Sequence, residues 1–147
     1  MTPASLDPWA ELRIDYDGDL KTLHKARRDV GQWLADQNAD EPTMDRAALI
    51  VSELSSNAIQ NSPGLSYTVQ VVRLDDEHAA ISVTNRPVGG LPPPREKWRP
   101  PGKLTLKQLS LRGRGLAIVD SLSEELTIEQ LGEDLVVTAR IRIVKKS

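Results

Sequence analysis

The chain has 147 residues, a formal net charge of −2, 39% apolar and 27% charged residues, and no cysteine. That is the size and composition of one ordinary globular domain. It excludes disulfides and thiolate metal sites, as well as any overall electrostatic attraction for nucleic acid.

Asp7, Glu11, Asp15, Asp17 and Asp19 stand where a signal peptide would carry a basic start and an apolar core. The longest uncharged run, residues 55–72, is broken by Asn57, Asn61, Pro63 and Gly64 and is unsuited to span a bilayer. A soluble, cytoplasmic, single-domain protein over residues 1–147 is expected. With no Phe in the chain, Leu, Ile, Val and Ala must fill the interior.

Residues 12–16 suit a short first strand. Over residues 19–38, Leu20, Leu23, Ala26, Val30, Trp33 and Leu34 recur at three- and four-residue steps, which predicts an amphipathic helix with Asp19 as its cap. Pro42 suits the first turn of a second helix over residues 43–61, which Asn61-Ser62-Pro63-Gly64 stops. Tyr67, Val69 and Val71 alternate with Thr68, Gln70 and Val72. Asp75-Asp76-Glu77 then turns the chain into residues 78–85, as in an antiparallel hairpin with one face buried. Residues 125–131 and 135–144, separated by Gly132-Glu133-Asp134, repeat that signal. With a third helix after Gly113, the fold expected is α+β: a two-layer sandwich with a mostly antiparallel sheet and helices on one face.

Residues 87–102 hold six of the ten prolines and no periodic pattern. A long aperiodic loop inside a domain of this size reads as a lid or binding element rather than a linker, here extending over about residues 86–112.

Two segments carry the chemistry. Glu53 and Asn57 lie one helical turn apart in Glu53-Leu54-Ser55-Ser56-Asn57-Ala58 and share a face. They offer a carboxylate base beside a neutral oxygen ligand. Arg112-Gly113-Arg114-Gly115-Leu116 reads as a glycine turn opening a helix, where backbone N–H groups converge on an anion. Glycine there lets a ligand approach the backbone, and Arg112 and Arg114 add donors that fork to phosphate oxygens. A nucleotide with its magnesium ion would use both segments. The alternatives are a solvated helix face and a flexible cationic turn or minor RNA contact. His24 and His78 read as surface residues, and there is no Gly-x-x-x-x-Gly-Lys-Ser/Thr loop.

The order of these blocks resembles the GHKL (Bergerat-fold) ATPase superfamily, and within it the anti-sigma factor serine/threonine kinases of the RsbW and SpoIIAB type. The resemblance spans residues 12–144. It implies that Glu53 takes the proton from the attacking hydroxyl and that Asn57 binds Mg²⁺ through its side-chain oxygen. It also implies that Gly113, Arg114, Gly115 and Leu116, with Arg112, form the second glycine box that holds the phosphates of ATP. The first glycine box, Asp-x-Gly-x-Gly in the family, reads Asn85-Arg86-Pro87-Val88-Gly89 here, and only Gly89 keeps the pattern. An Asn85 oxygen still accepts from the adenine amino group, but without charge assistance the loss is on the order of 1 kcal/mol. Asn61 and residues 134–137 also depart from the family pattern.

By resemblance the chain is an ATP-binding regulator and protein kinase. Its partners would be a sigma factor and a small STAS-type antagonist, with no direct nucleic acid, no membrane and a homodimeric state. The alternative is an interaction module of the same fold with reduced nucleotide affinity, motivated by Asn85, Pro87 and the proline-rich lid.

Overall fold

The computed structural model describes residues 11–62, 64–87 and 114–147. Its elements in order are β1 (Leu12–Tyr16), α1 (Thr22–Asp36), α2 (Glu41–Asn61), β2 (Tyr67–Arg73), β3 (His78–Asn85), α3 (Arg114–Leu122), β4 (Glu125–Leu131) and β5 (Asp134–Arg142).

The first helix is shorter than its hydrophobic period suggests, and Asp19 does not cap it. Lys21 occupies the N-cap without a side-chain bond, while Asp19 Oδ1 accepts the Lys21 N–H at 3.0 Å in the preceding turn. The reason is tertiary. The Thr22 hydroxyl lies within hydrogen-bonding distance of the Asp17 and Asp19 carbonyls and of Tyr67 Oη, at 3.1, 2.7 and 2.7 Å, and so fixes the turn one step later. At the other end Asn38 adopts φ 61°. Its N–H donates to Ala35 O and the Ala39 N–H to Leu34 O, the paired bonds of a Schellman stop with Asn in the left-handed position.

The second helix begins at Glu41, with Pro42 in its first turn, and Asp40 caps it by accepting the Thr43 N–H at 2.9 Å. The Thr43 side chain, and then that bond, hold the Asp40 carboxyl below its ordinary range.

All strand pairings among the described residues are antiparallel, in the order β1-β2-β3-β5-β4. Burial alternates strictly along β2 and β3, so one face, with Val69, Val71, Ile81, Val83 and Val137, is inaccessible to solvent. Polar Gln70, Ser82, Thr84 and Thr138 stand on the other, half-buried face. The helices cover the inner face in sheet order: α1 lies against β1, α2 against β2, β3 and β5, and α3 against β4 and β5. The result is the expected α+β two-layer sandwich.

The stacked pair Tyr16–Tyr67, 5.5 Å between centroids, supplies the aromatic bulk that phenylalanine does not. Tyr16 Oη donates to Asp29 Oδ2 at 2.7 Å, and burial, reinforced by this bond, pushes its phenol up. At the far end of the sheet the Arg73 guanidinium donates to the Asp75 and Asp76 carbonyls and to Gln37 Oε1. It thereby ties the β2–β3 turn to the end of α1.

Two stability predictions follow from α2. Ser55 Oγ is enclosed with no hydrogen-bond partner, a burial that costs about 1–3 kcal/mol. Ser55→Ala will raise the Tm, measured by calorimetry. Because the Asp40 carboxyl is depressed, its contribution is complete above the unfolded carboxyl range, roughly pH 4, and is lost as pH falls through the lower folded value. Asp40→Ala will therefore lower the Tm at neutral pH and flatten the acid limb of a Tm-against-pH curve.

Candidate functional site

Pro42 and Asp40 at one end and the Asn61-Ser62 stop at the other make α2 a single rod of 21 residues. Its core stripe is Ala47, Ile50, Val51, Leu54 and Ala58. Glu53 and Asn57 occupy the flank beside that stripe, half-buried, on the helix that α3 packs against. Neither side chain makes a hydrogen bond or ion pair with a described residue. Unsatisfied polar groups kept on a partly desolvated flank suit a ligand better than they suit stability.

The start of α3 comes directly onto this flank. A Cβ built on Gly115 would lie 2.6 Å from Glu53 Oε2, well inside van der Waals contact, and 3.6 Å from its Cδ. A side chain at this position is thus excluded unless the carboxylate moves. The backbone N–H groups of the first turn of α3 have no partner within the helix, and the helix dipole favours negative charge there. Within a few ångströms the chain therefore assembles a carboxylate, a helix start without a side chain at its second position and, one turn along α2, a carboxamide. This combination has the chemistry to hold an anion and to accept a proton from a neighbouring hydroxyl.

Asn85 ends β3 on the inner face, only 5% exposed. Its Nδ2 donates to Ser62 Oγ at 2.9 Å, and Ser62 Oγ donates to the Arg86 carbonyl at 2.6 Å. The Arg86 guanidinium pairs with Glu133 Oε2 and Asp134 Oδ1, both at 3.1 Å. The segment Asn85-Arg86-Pro87 is held from one side by the C-cap of α2 and from the other by the β4–β5 turn. Glu53 and Ser62 are nine positions apart along α2, about 14 Å in axial rise, and Asn85 is bonded at the Ser62 end.

Of the residues singled out from the sequence, Glu53, Asn57 and Gly115 are brought together, and Asn85 lies at the end of the same helix. The Leu116 side chain is in the core, 5% exposed, which leaves its peptide N–H for any ligand. Arg114 opens α3. Gly89, Arg112, Gly113 and residues 88–112 of the expected lid lie outside the described residues.

Ser62 has no functional reading in the sequence beyond a helix stop. Its partner Asn85 is 23 positions away, and no local pattern connects them. His24 is exposed as expected. His78 is not a simple surface residue: its ring nitrogens lie 2.9 Å from Asp75 Oδ1 and 2.9 Å from Glu124 Oε1. The Glu77 N–H and then the His78 ring hold the Asp75 carboxyl low. Among the described residues no group of three or more His, Asp or Glu could hold a metal ion. An ion beside Asn57 would accordingly draw most of its oxygens from a ligand and water, as magnesium does.

No curated protein matches the sequence. Among the solved structures similar to this chain are these two. One, of the RsbU and RsbW domains of Rv1364c from Mycobacterium tuberculosis, has a TM-score of 0.68 at 19% identity over 93% of this chain. It is the longer protein, and the match spans about a third of it (33%). The other, the SiaB–SiaC complex from Pseudomonas aeruginosa, has a TM-score of 0.65 at 16% identity, covering 87% of this chain and 88% of that one. At these identities the likeness is one of fold. The sequence itself matches the family described as histidine kinase-like ATPase domain over residues 17–141. With most of its length matched, from the turn before α1 to the end of β5, the chain belongs to the histidine kinase-like ATPase domain family.

Proposed function

We propose that the chain is a cytoplasmic, ATP-binding regulator that phosphorylates a serine or threonine on a small antagonist protein of STAS type and otherwise sequesters a partner such as a sigma factor, acting as a homodimer. The observation that carries this reading is the contact of the Glu53 carboxylate with the side-chain-free second residue of α3, one turn from Asn57. The fold likeness to a structure containing an RsbW domain and to the SiaB–SiaC complex supports it.

In this reading the first turn of α3 binds the phosphates through its N–H groups, with Gly115 keeping the approach clear. The Asn57 oxygen would hold Mg²⁺, whose chemistry is to neutralise charge on the phosphate oxygens. Glu53 accepts the proton of the incoming hydroxyl. As a carboxylate unpaired among the described residues and within reach of the anion site, it is a base by position. Asn85 meets the nucleobase.

A second reading keeps the fold and the partner but drops catalysis. It is favoured by Asn85 in place of a carboxylate and by Pro87, which fixes φ beside it. The two are separated by a thermal shift and a transfer assay. A nucleotide bound only by the folded chain adds about 2.7 kcal/mol at a hundred times its Kd, so MgADP and MgATP will raise the Tm by several degrees. No shift with either removes the nucleotide reading altogether. A shift without label transfer from γ-labelled ATP to a co-purified antagonist leaves the interaction module.

In the transfer assay Glu53→Ala will abolish turnover while preserving the MgADP shift. Gly115→Ala will lower turnover at least about tenfold, because its methyl must displace the Glu53 carboxylate. Its effect on Tm will be small, since the displaced atoms end a flexible side chain.

A further inference from the structure

The proton count in the Asn85–Ser62–Arg86 chain has a consequence for which nucleobase the site takes. Ser62 has one hydroxyl proton, and its Oγ lies 2.6 Å from the Arg86 carbonyl oxygen, an acceptor that cannot supply a proton of its own. That proton is therefore committed to Arg86. Asn85 approaches the same Oγ at 2.9 Å, and only the NH₂ end of its carboxamide can satisfy this contact. The reversed amide would set its oxygen against the Ser62 oxygen with no proton between them.

Ser62 is 1% exposed and Asn85 5%, so no bulk water relieves the wrong orientation. The surroundings are rigid as well. Ser62 is the C-cap of α2, its N–H bound to the Ala58 and Ile59 carbonyls, and the Arg86 side chain is tied to Glu133 and Asp134. Asn85 Oδ1 is thus turned away from Ser62, and among the described residues it has no hydrogen-bond partner.

We propose that Ser62 is a positioning residue that sets base selectivity: by holding the Asn85 carboxamide with its oxygen turned to the ligand, it makes the site accept a purine with an amino group at C6, adenine, and refuse guanine, which carries an oxygen there. The inference rests on the nucleotide reading above and adds to it the residue that decides the base. Adenine offers an N6–H donor to Oδ1, whereas guanine offers the acceptor O6, which would meet the amide oxygen lone pair to lone pair. A carboxylate in place of Asn85 would accept in either orientation and need no orienting partner. An amide, which is donor at one end and acceptor at the other, does.

The test is a titration of the full chain with fluorescent ADP and GDP in the presence of Mg²⁺. The set comprises wild type, Ser62→Ala, Ser62→Cys, Asn85→Asp and the double variant Asn85→Asp/Ser62→Ala. Wild type is expected to prefer ADP by at least about tenfold, the value of one hydrogen bond lost to a mispaired base. In Ser62→Ala the freed amide turns over for guanine, so GDP binding tightens and the ratio falls toward unity. Ser62→Cys, a thiol of similar size and poor donor strength, will narrow the ratio in the same sense and carries the test if the alanine variant does not fold. In the Asn85→Asp background removal of the hydroxyl will leave the ADP preference unchanged.

Loss of affinity for both nucleotides by one common factor, at constant ratio, is what a merely structural Ser62 gives and would overturn the inference while leaving the nucleotide reading intact. Absence of binding of either nucleotide to wild type would overturn both.

Discussion

The structure turns on one close approach, that of the Glu53 carboxylate to the backbone of Gly115. The carboxylate can keep this place only because residue 115 has no side chain. The site is the consequence: a base and the positive end of a helix dipole held within a few ångströms. Neither element arranges the other by itself. α2 is fixed along its length by burial of Ile50, Val51, Leu54 and Ala58 against the sheet. α3 is fixed by Leu116, Ala117 and Val119 over β4 and β5. The approach follows from sheet order, because β5 sits between β3 and β4 and so lays α3 next to α2.

α2 also sets the length scale. Its cap at Asp40 and its stop at Ser62 delimit a straight rod on which Glu53, Asn57 and Ser62 fall at successive heights. The last of these couples the rod to the end of β3 through Asn85. A buried polar chain of this kind is costly if any member is unsatisfied. Ser62 and Asn85 form such a chain at the edge of a largely apolar inner face. Ser55, on the same helix, is the contrasting case, since its hydroxyl is equally enclosed and has no hydrogen-bond partner among the described residues.

Much of this was legible one residue at a time. Pro42 and Asn61-Ser62-Pro63-Gly64 delimit α2 because φ restriction and loss of N–H donors act locally. The alternation in residues 67–72 and 78–85 gives strands because side-chain direction has period two in any strand. Glu53 and Asn57 share a flank because 3.6 residues make a turn wherever the helix is packed. The failures have a common cause. Asp19 reads as a cap by local chemistry, yet the turn before α1 is set by a Thr22 hydroxyl bonded to Tyr67, 45 positions away. His78 reads as a surface residue because Glu124, which binds one of its ring nitrogens, is remote in sequence. Ser62 reads as punctuation because the amide it orients is on another element.

The sequence by itself determined the elements, their buried faces and the pairing of Glu53 with Asn57, since each depends on torsional preference and hydrophobic period within a dozen residues. Tertiary structure alone decided that β3 pairs with β5 before β4, that Gly115 lies on Glu53, and that Ser62 Oγ stands between the Arg86 carbonyl and the Asn85 amide. These are distances between segments far apart in the chain. They are fixed by the collective burial of one sheet face, a quantity that no local stretch of residues encodes.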